Sequence, residues 1–70
     1  MPREFEHVEG GRIEAWMEDS GVFGVSLLPD GGGGHSYTSA ESHKDFPATY
    51  DPTALLAWGR ARWHQNRTST

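Results

Sequence analysis

Read for the spacing of its apolar positions, the chain divides into a strand-like first half and a single helical segment near its end. Phe23, Val25 and Leu27 alternate with Val22, Gly24 and Ser26, the period of two that marks a strand over residues 22–28. Gly24 inside it signals a bulge or a close backbone approach. Upstream, Val8, Ile13, Ala15 and Met17 are spaced around Gly10-Gly11, a pair that tolerates the positive φ of a two-residue hairpin turn. A turn set there predicts that Val8 faces Ile13, Glu6 faces Ala15, Glu9 faces Arg12, His7 faces Glu14 and Phe5 faces Trp16. One face of this hairpin, over residues 3–18, then carries the aliphatic set. The other carries two opposite-charge pairs and the Phe5–Trp16 aromatic pair, cross-strand contacts that contribute roughly 0.2–1 kcal/mol each. Asp19-Ser20-Gly21 reads as a turn, and the glycine-rich run 29–34 as a flexible loop. A short strand around His35–Thr38 completes a meander of three to four strands.

From Tyr50 onward the period changes to that of a helix. Leu55, Leu56, Gly59 and Trp63 fall on one stripe while Ala57, Ala61 and His64 face away, which predicts a helix over about 52–64. Asp51 suits the N-cap, Pro52 suits the first turn, and Tyr50 is placed to staple onto Leu55. Gly59 breaks the pattern, because glycine inside a helix costs roughly 1 kcal/mol relative to alanine. At the centre of the stripe it predicts a close approach of helix to sheet, over Phe23 or Val25. In residues 39–49 Pro47 holds Phe46 extended, so this stretch reads as a crossing loop that pins Phe46 and Tyr50 under the sheet edge. Residues 66–70 are polar and read as a flexible tail. The predicted architecture is α+β: residues 1–70 as one small domain, an antiparallel β-meander packed against one C-terminal α-helix.

Length then limits what the domain can do. A chain of 70 residues buries only roughly 60% of the surface its unfolded form exposes, and a core of that scale supplies about 3–5 kcal/mol. With no cysteine, neither a disulfide nor a thiolate metal site reinforces it, and a reducing compartment fits. No apolar run approaches the roughly 18 residues of a membrane span, and the start of the chain lacks a signal-peptide pattern. The location expected is cytoplasmic.

Sequence offers little for catalysis. The glycine run lacks the Lys-Ser/Thr ending and following helix of a phosphate cradle. His7, His35, His43 and His64 lack the short spacings that bring metal ligands together. The serines lie outside any Gly-x-Ser-x-Gly elbow, and the chain leaves little room for a cleft that excludes water. No enzyme activity, cofactor or metal is expected.

Charge and aromatic content point instead to binding. The net charge is −4, with Glu4, Glu6, Glu9, Glu14, Glu18, Asp19 and Asp30 against Arg3 and Arg12 in residues 1–35, and no acid after Asp51. Phe5 and Trp16 share the hairpin face without aliphatics, and Trp58 projects about 120° from the helix stripe. Unless loop 40–50 covers them, such rings form an apolar patch of the kind that marks interaction sites. The reading that follows is a non-catalytic protein-binding module, an inhibitor or accessory subunit. Phe5, Trp16 and Trp58 would be its anchors, with Glu14 and Glu18 steering it toward a partner of basic surface. The alternative is a nucleic-acid accessory domain using Arg60, Arg62 and Arg67 on the helix. A homodimer through an unpaired first or fourth strand is a third expectation, opposed by the charges of Glu4 and Glu6.

In outline, three strands followed by a helix over residues 12–64 resembles the N-terminal arm-binding domains of phage-type integrases. That resemblance implies a sheet laid in a DNA groove, but the strands here carry Glu14, Glu18 and Asp19 where such readers need Lys and Arg. Small, acidic, cysteine-free composition is also similar to that of phage-encoded inhibitors such as anti-CRISPR proteins.

Overall fold

The computed structural model describes residues 3–68. Strands β1 (Arg3–Val8), β2 (Gly11–Met17), β3 (Phe23–Pro29) and β4 (His35–Thr38) precede the single helix α1 (Pro52–Thr68). The strands form a four-stranded antiparallel sheet in the order β1-β2-β3-β4, the α+β meander that the pattern predicts. Each β-strand sends alternate side chains to opposite faces, and α1 covers the face that carries the aliphatics. Ile13, Ala15, Phe23, Val25 and Leu27 from the two central strands meet Leu55 and Trp63 from the helix to form the core.

The β1–β2 hairpin departs from its predicted register by two residues. Arg3 faces Trp16, Phe5 faces Glu14, His7 faces Arg12 and Val8 faces Gly11, so the expected Glu9–Arg12, His7–Glu14 and Phe5–Trp16 partners are not opposite one another. The turn is Glu9-Gly10, with φ of 88° at Gly10, as the second central residue of a type II turn requires. Gly11 is committed to the sheet instead. A Cβ there would strike the Leu28 carbonyl oxygen and lie 2.7 Å from the Trp63 ring. Because the displacement is two residues and not one, every side chain stays on its predicted face. The second hairpin runs unbroken from Gly11↔Pro29 to Met17↔Phe23. Gly24 therefore marks a close approach, not a bulge: a Cβ there would meet the Tyr37 carbonyl oxygen and the Trp16 ring.

Helix α1 begins as the sequence predicts. The Ala54 N–H donates to the Asp51 side chain at 3.2 Å, and Pro52 is the first helical residue. Leu55, Gly59 and Trp63 are buried, with Ala57, Ala61 and His64 exposed. A Cβ on Gly59 would lie 2.8 Å from the Ile13 and Val25 methyls, which places the helix axis over β2 and β3. The helix continues through Thr68, past the predicted end near 64, so residues 66–68 of the expected tail are helical. After His64 no glycine or proline appears to stop it. Residues 69–70 of that tail lie outside the described residues.

Residues 39–51 cross back beneath the sheet edge without forming a helix. Phe46 stacks on Phe23 with centroids 6.2 Å apart, and Tyr50 meets the same ring edge-on. Asp45 takes the left-handed conformation at φ 61°, a turn geometry that Asp tolerates better than most residues. The Tyr50 hydroxyl is buried and has no hydrogen-bond partner among the described residues. Burial, and secondarily the charge of Glu4, push its pKa above the ordinary value.

Candidate functional site

The face of the sheet opposite α1 has no element packed on it among the described residues, and side-chain alternation brings Phe5, Glu14, Trp16 and Ser26 to it. Phe5 is the one large hydrophobic residue there that stands well exposed, at 51%. The guanidinium of Arg12 lies over its ring, 5.7 Å from the centroid, which leaves the ring a cationic neighbour on one side. Trp16 lies partly flat on the sheet, over Gly24, where no side chain lifts it away. Its indole N–H donates to Ser26 Oγ at 2.9 Å, and the Ser26 and Ser36 hydroxyls, opposite each other on β3 and β4, are 2.7 Å apart.

Glu14 is only 8% exposed. A buried carboxylate needs a partner, and Arg3 supplies one, with Nη1 2.9 Å from both carboxylate oxygens. Arg3, Glu14, Trp16, Glu18 and Ser26 together line a shallow depression of about 200 Å³. Four of the sequence-predicted site residues (Phe5, Glu14, Trp16 and Glu18) therefore share one face. The charge of Glu14 is already matched by Arg3, so Glu18 is the acid of that set left at the rim.

Trp58 is not brought together with them. It stands on the helix side, with its indole N–H donating to the Lys44 carbonyl at 3.0 Å and Phe46 edge-on at 4.9 Å. Arg62 lies 4.8 Å above the Trp58 ring and 5.2 Å above Tyr37. Loop 40–50 thus packs against Trp58, which like Trp16 is half-buried, and leaves Phe5 on the opposite face exposed. Beside Trp58 a wide depression of about 610 Å³ is bordered by Lys44, Asp45, Arg62 and His64.

The helix arginines are engaged within the fold. Arg60 grips Glu6 of β1 with two hydrogen bonds, from Nε at 2.5 Å and Nη2 at 2.6 Å. Arg62 Nη1 also donates to Gln65 at 3.3 Å. The Arg67 side chain lies outside the described residues. The Arg60 hydrogen bond holds the Glu6 carboxyl below its ordinary value of 4.5, against a smaller opposing effect of burial. A carboxylate whose pKa is lower when folded stabilises the native state above its unfolded pKa, and that stabilisation is lost as pH falls through the folded value. Urea unfolding at stepped pH should show stability falling as pH drops below 4.5, with Glu6→Gln flattening part of that slope. An identical slope in the variant would show the pair contributes nothing.

Among the described residues no three metal-ligating side chains are grouped, and no helix is long and apolar enough to cross a membrane. Comparison with known protein families, with curated proteins and with solved structures found no match to this chain. The Arg3–Glu14 pair and the Trp16–Ser26–Ser36 chain were not legible in the sequence. Each depends on cross-strand registers, one of them two residues from the pattern-based alignment and the other across a glycine loop of unpredictable path.

Proposed function

We propose that this chain is a non-catalytic protein-binding module, an inhibitor or accessory subunit, that docks through the open face of its sheet. The exposed Phe5 ring carries this reading: a half-exposed aromatic on a strand of the sheet, beside a second ring fixed by a hydrogen bond, is the kind of anchor that dominates interfaces. Pre-organisation matters, because a side chain already held in place loses little freedom on binding. Glu18 at the rim, with Asp19 in the adjacent turn and a net charge of −4, favours a partner with basic residues beside its apolar pocket. No cluster of nucleophile, base and oxyanion donors on this face argues for chemistry.

The test is affinity capture with the wild-type chain and with Phe5→Ser. The variant should keep its circular dichroism spectrum and melting temperature, since Phe5 lies outside the core, yet retain far less of the captured protein. Equal capture by both chains would remove Phe5 as an anchor. Trp16→Ala is a weaker probe, because it also uncovers Gly24 and leaves Ser26 without its donor.

A further inference from the structure

A sheet with two edges can take another strand at either, and the hydrogen-bond pattern distinguishes them. Asp30 N–H donates to the Gly10 carbonyl at 2.9 Å and Glu18 N–H to the Val22 carbonyl at 2.8 Å, bracketing the β2–β3 ladder. Even-numbered residues of β2 therefore bond toward β3. Backbone groups of an antiparallel strand alternate in direction, so Gly11, Ile13 and Ala15 bond toward Val8, Glu6 and Glu4 of β1. The N–H and C=O groups of Arg3, Phe5 and His7 point away from the sheet, and no described residue bonds to them. On β4 the Ser39 N–H bonds back to Phe23 at 2.7 Å, which leaves Ser36 and Thr38 pointing outward. Thr38 is closed by its own loop. Its N–H donates to the Glu41 carboxylate at 3.3 Å, and its carbonyl accepts the Glu41 N–H at 3.1 Å. Among the described residues, only β1 offers a continuous free edge.

We infer that β1 pairs antiparallel with β1 of a second copy of this chain, with Phe5 opposite Phe5 at the two-fold axis. Two four-stranded sheets then join into one. Symmetry and hydrogen bonding select the register. Centred on Phe5, the three outward residues exchange two bonds in each of the pairs Phe5–Phe5, Arg3–His7 and His7–Arg3, six in all; centred on Glu4 or Glu6, only two such pairs form. On the open face this sets the exposed Phe5 rings side by side, a favourable cross-strand pair. On the helix face Glu4 comes opposite Glu6 of the second copy, a contact the sequence alone marks as repulsive. Arg60 removes that repulsion. Because Arg60 already neutralises Glu6, Glu4 meets an arginine–carboxylate pair and not a bare acid. The helices do not collide: each sits over β2 and β3, so their axes stand about four strand spacings, roughly 19 Å, apart.

This inference does not need the partner proposed above, since edge pairing leaves the open face accessible. Sedimentation equilibrium on the full chain, from low to several hundred micromolar, should show a mass rising from 7.8 kDa toward twice that value. His7→Pro removes one outward N–H while sparing the bonds to β2 and the Phe5 ring, and it should stay monomeric with an unchanged circular dichroism spectrum. Arg60→Gln leaves the strand backbone intact and bares the Glu6 carboxylate opposite Glu4 of the second copy; it should weaken association about tenfold. Hydrogen exchange should show the Phe5 amide protected in the concentrated wild type and unprotected when diluted. A wild type that remains monomeric at several hundred micromolar overturns the inference. So does self-association of Arg60→Gln and His7→Pro at wild-type strength.

Discussion

Gly59→Leu should leave the chain largely unfolded at room temperature. The substitution improves helix propensity by roughly 1 kcal/mol, so a surface site would gain from it. Position 59 is the point at which α1 touches the sheet, and a Cβ alone would lie 2.8 Å from both Ile13 Cγ2 and Val25 Cγ2. Both obstacles are methyls on β-branched side chains, whose restricted χ1 leaves little freedom to turn aside. Ile13 and Val25 are themselves fully buried, so neither can retreat without displacing other core atoms. Overpacking of this kind costs typically about 1–3 kcal/mol for small insertions. Three further carbons should raise that toward the whole 3–5 kcal/mol or so that a core this size supplies. Gly59→Ala should remain folded but melt below wild type. Gly31→Ala is the control, because a Cβ there meets nothing within 4 Å; it should be neutral or slightly stabilising. Urea unfolding followed by tryptophan fluorescence reads all three. A Gly59→Ala chain as stable as wild type would mean that the helix rides higher on the sheet than described.

Gly24→Ala should be the second severe change, by a different route. Its Cβ would strike the Tyr37 carbonyl oxygen, a backbone atom that cannot move without opening the β3–β4 pairing, and would come within 2.7 Å of the Trp16 ring. Either β4 separates or Trp16 lifts from the open face. The expected loss is about 1–3 kcal/mol, with a shift in tryptophan emission as the Trp16 indole gives up its bond to Ser26. Unchanged stability and emission would mean that Trp16 does not rest on Gly24.

These two glycines show what the sequence could and could not convey. Gly59 was legible because a helix period of 3.6 places it among Leu55 and Trp63, where a missing side chain has only one economical explanation. The close approach at Gly24 was legible as one of two options, and pairing with β2 and β4 decided between them. Gly10 and Gly11 misled, since both permit a turn. Only the Trp63 ring and the Leu28 carbonyl, contacts far along the chain, commit Gly11 to the strand. The faces survived that error because a two-residue shift preserves them, so the grouping of Phe5 with Trp16 held while their direct pairing did not. Trp58 could not be placed from sequence, because its surroundings come from a loop whose turn depends on the left-handed Asp45 and on ring contacts with Phe46 and Tyr37.

We propose the open sheet face, and not the outer surface of the helix, as the surface this chain offers to another protein. A photo-crosslinking amino acid placed at position 5, and separately at the exposed helix position 57, tests it in the native cell. Adducts with a protein other than the chain itself should form from position 5 and not from position 57. Adducts from position 57 alone would place the contact on the helix and remove the sheet face as the docking surface.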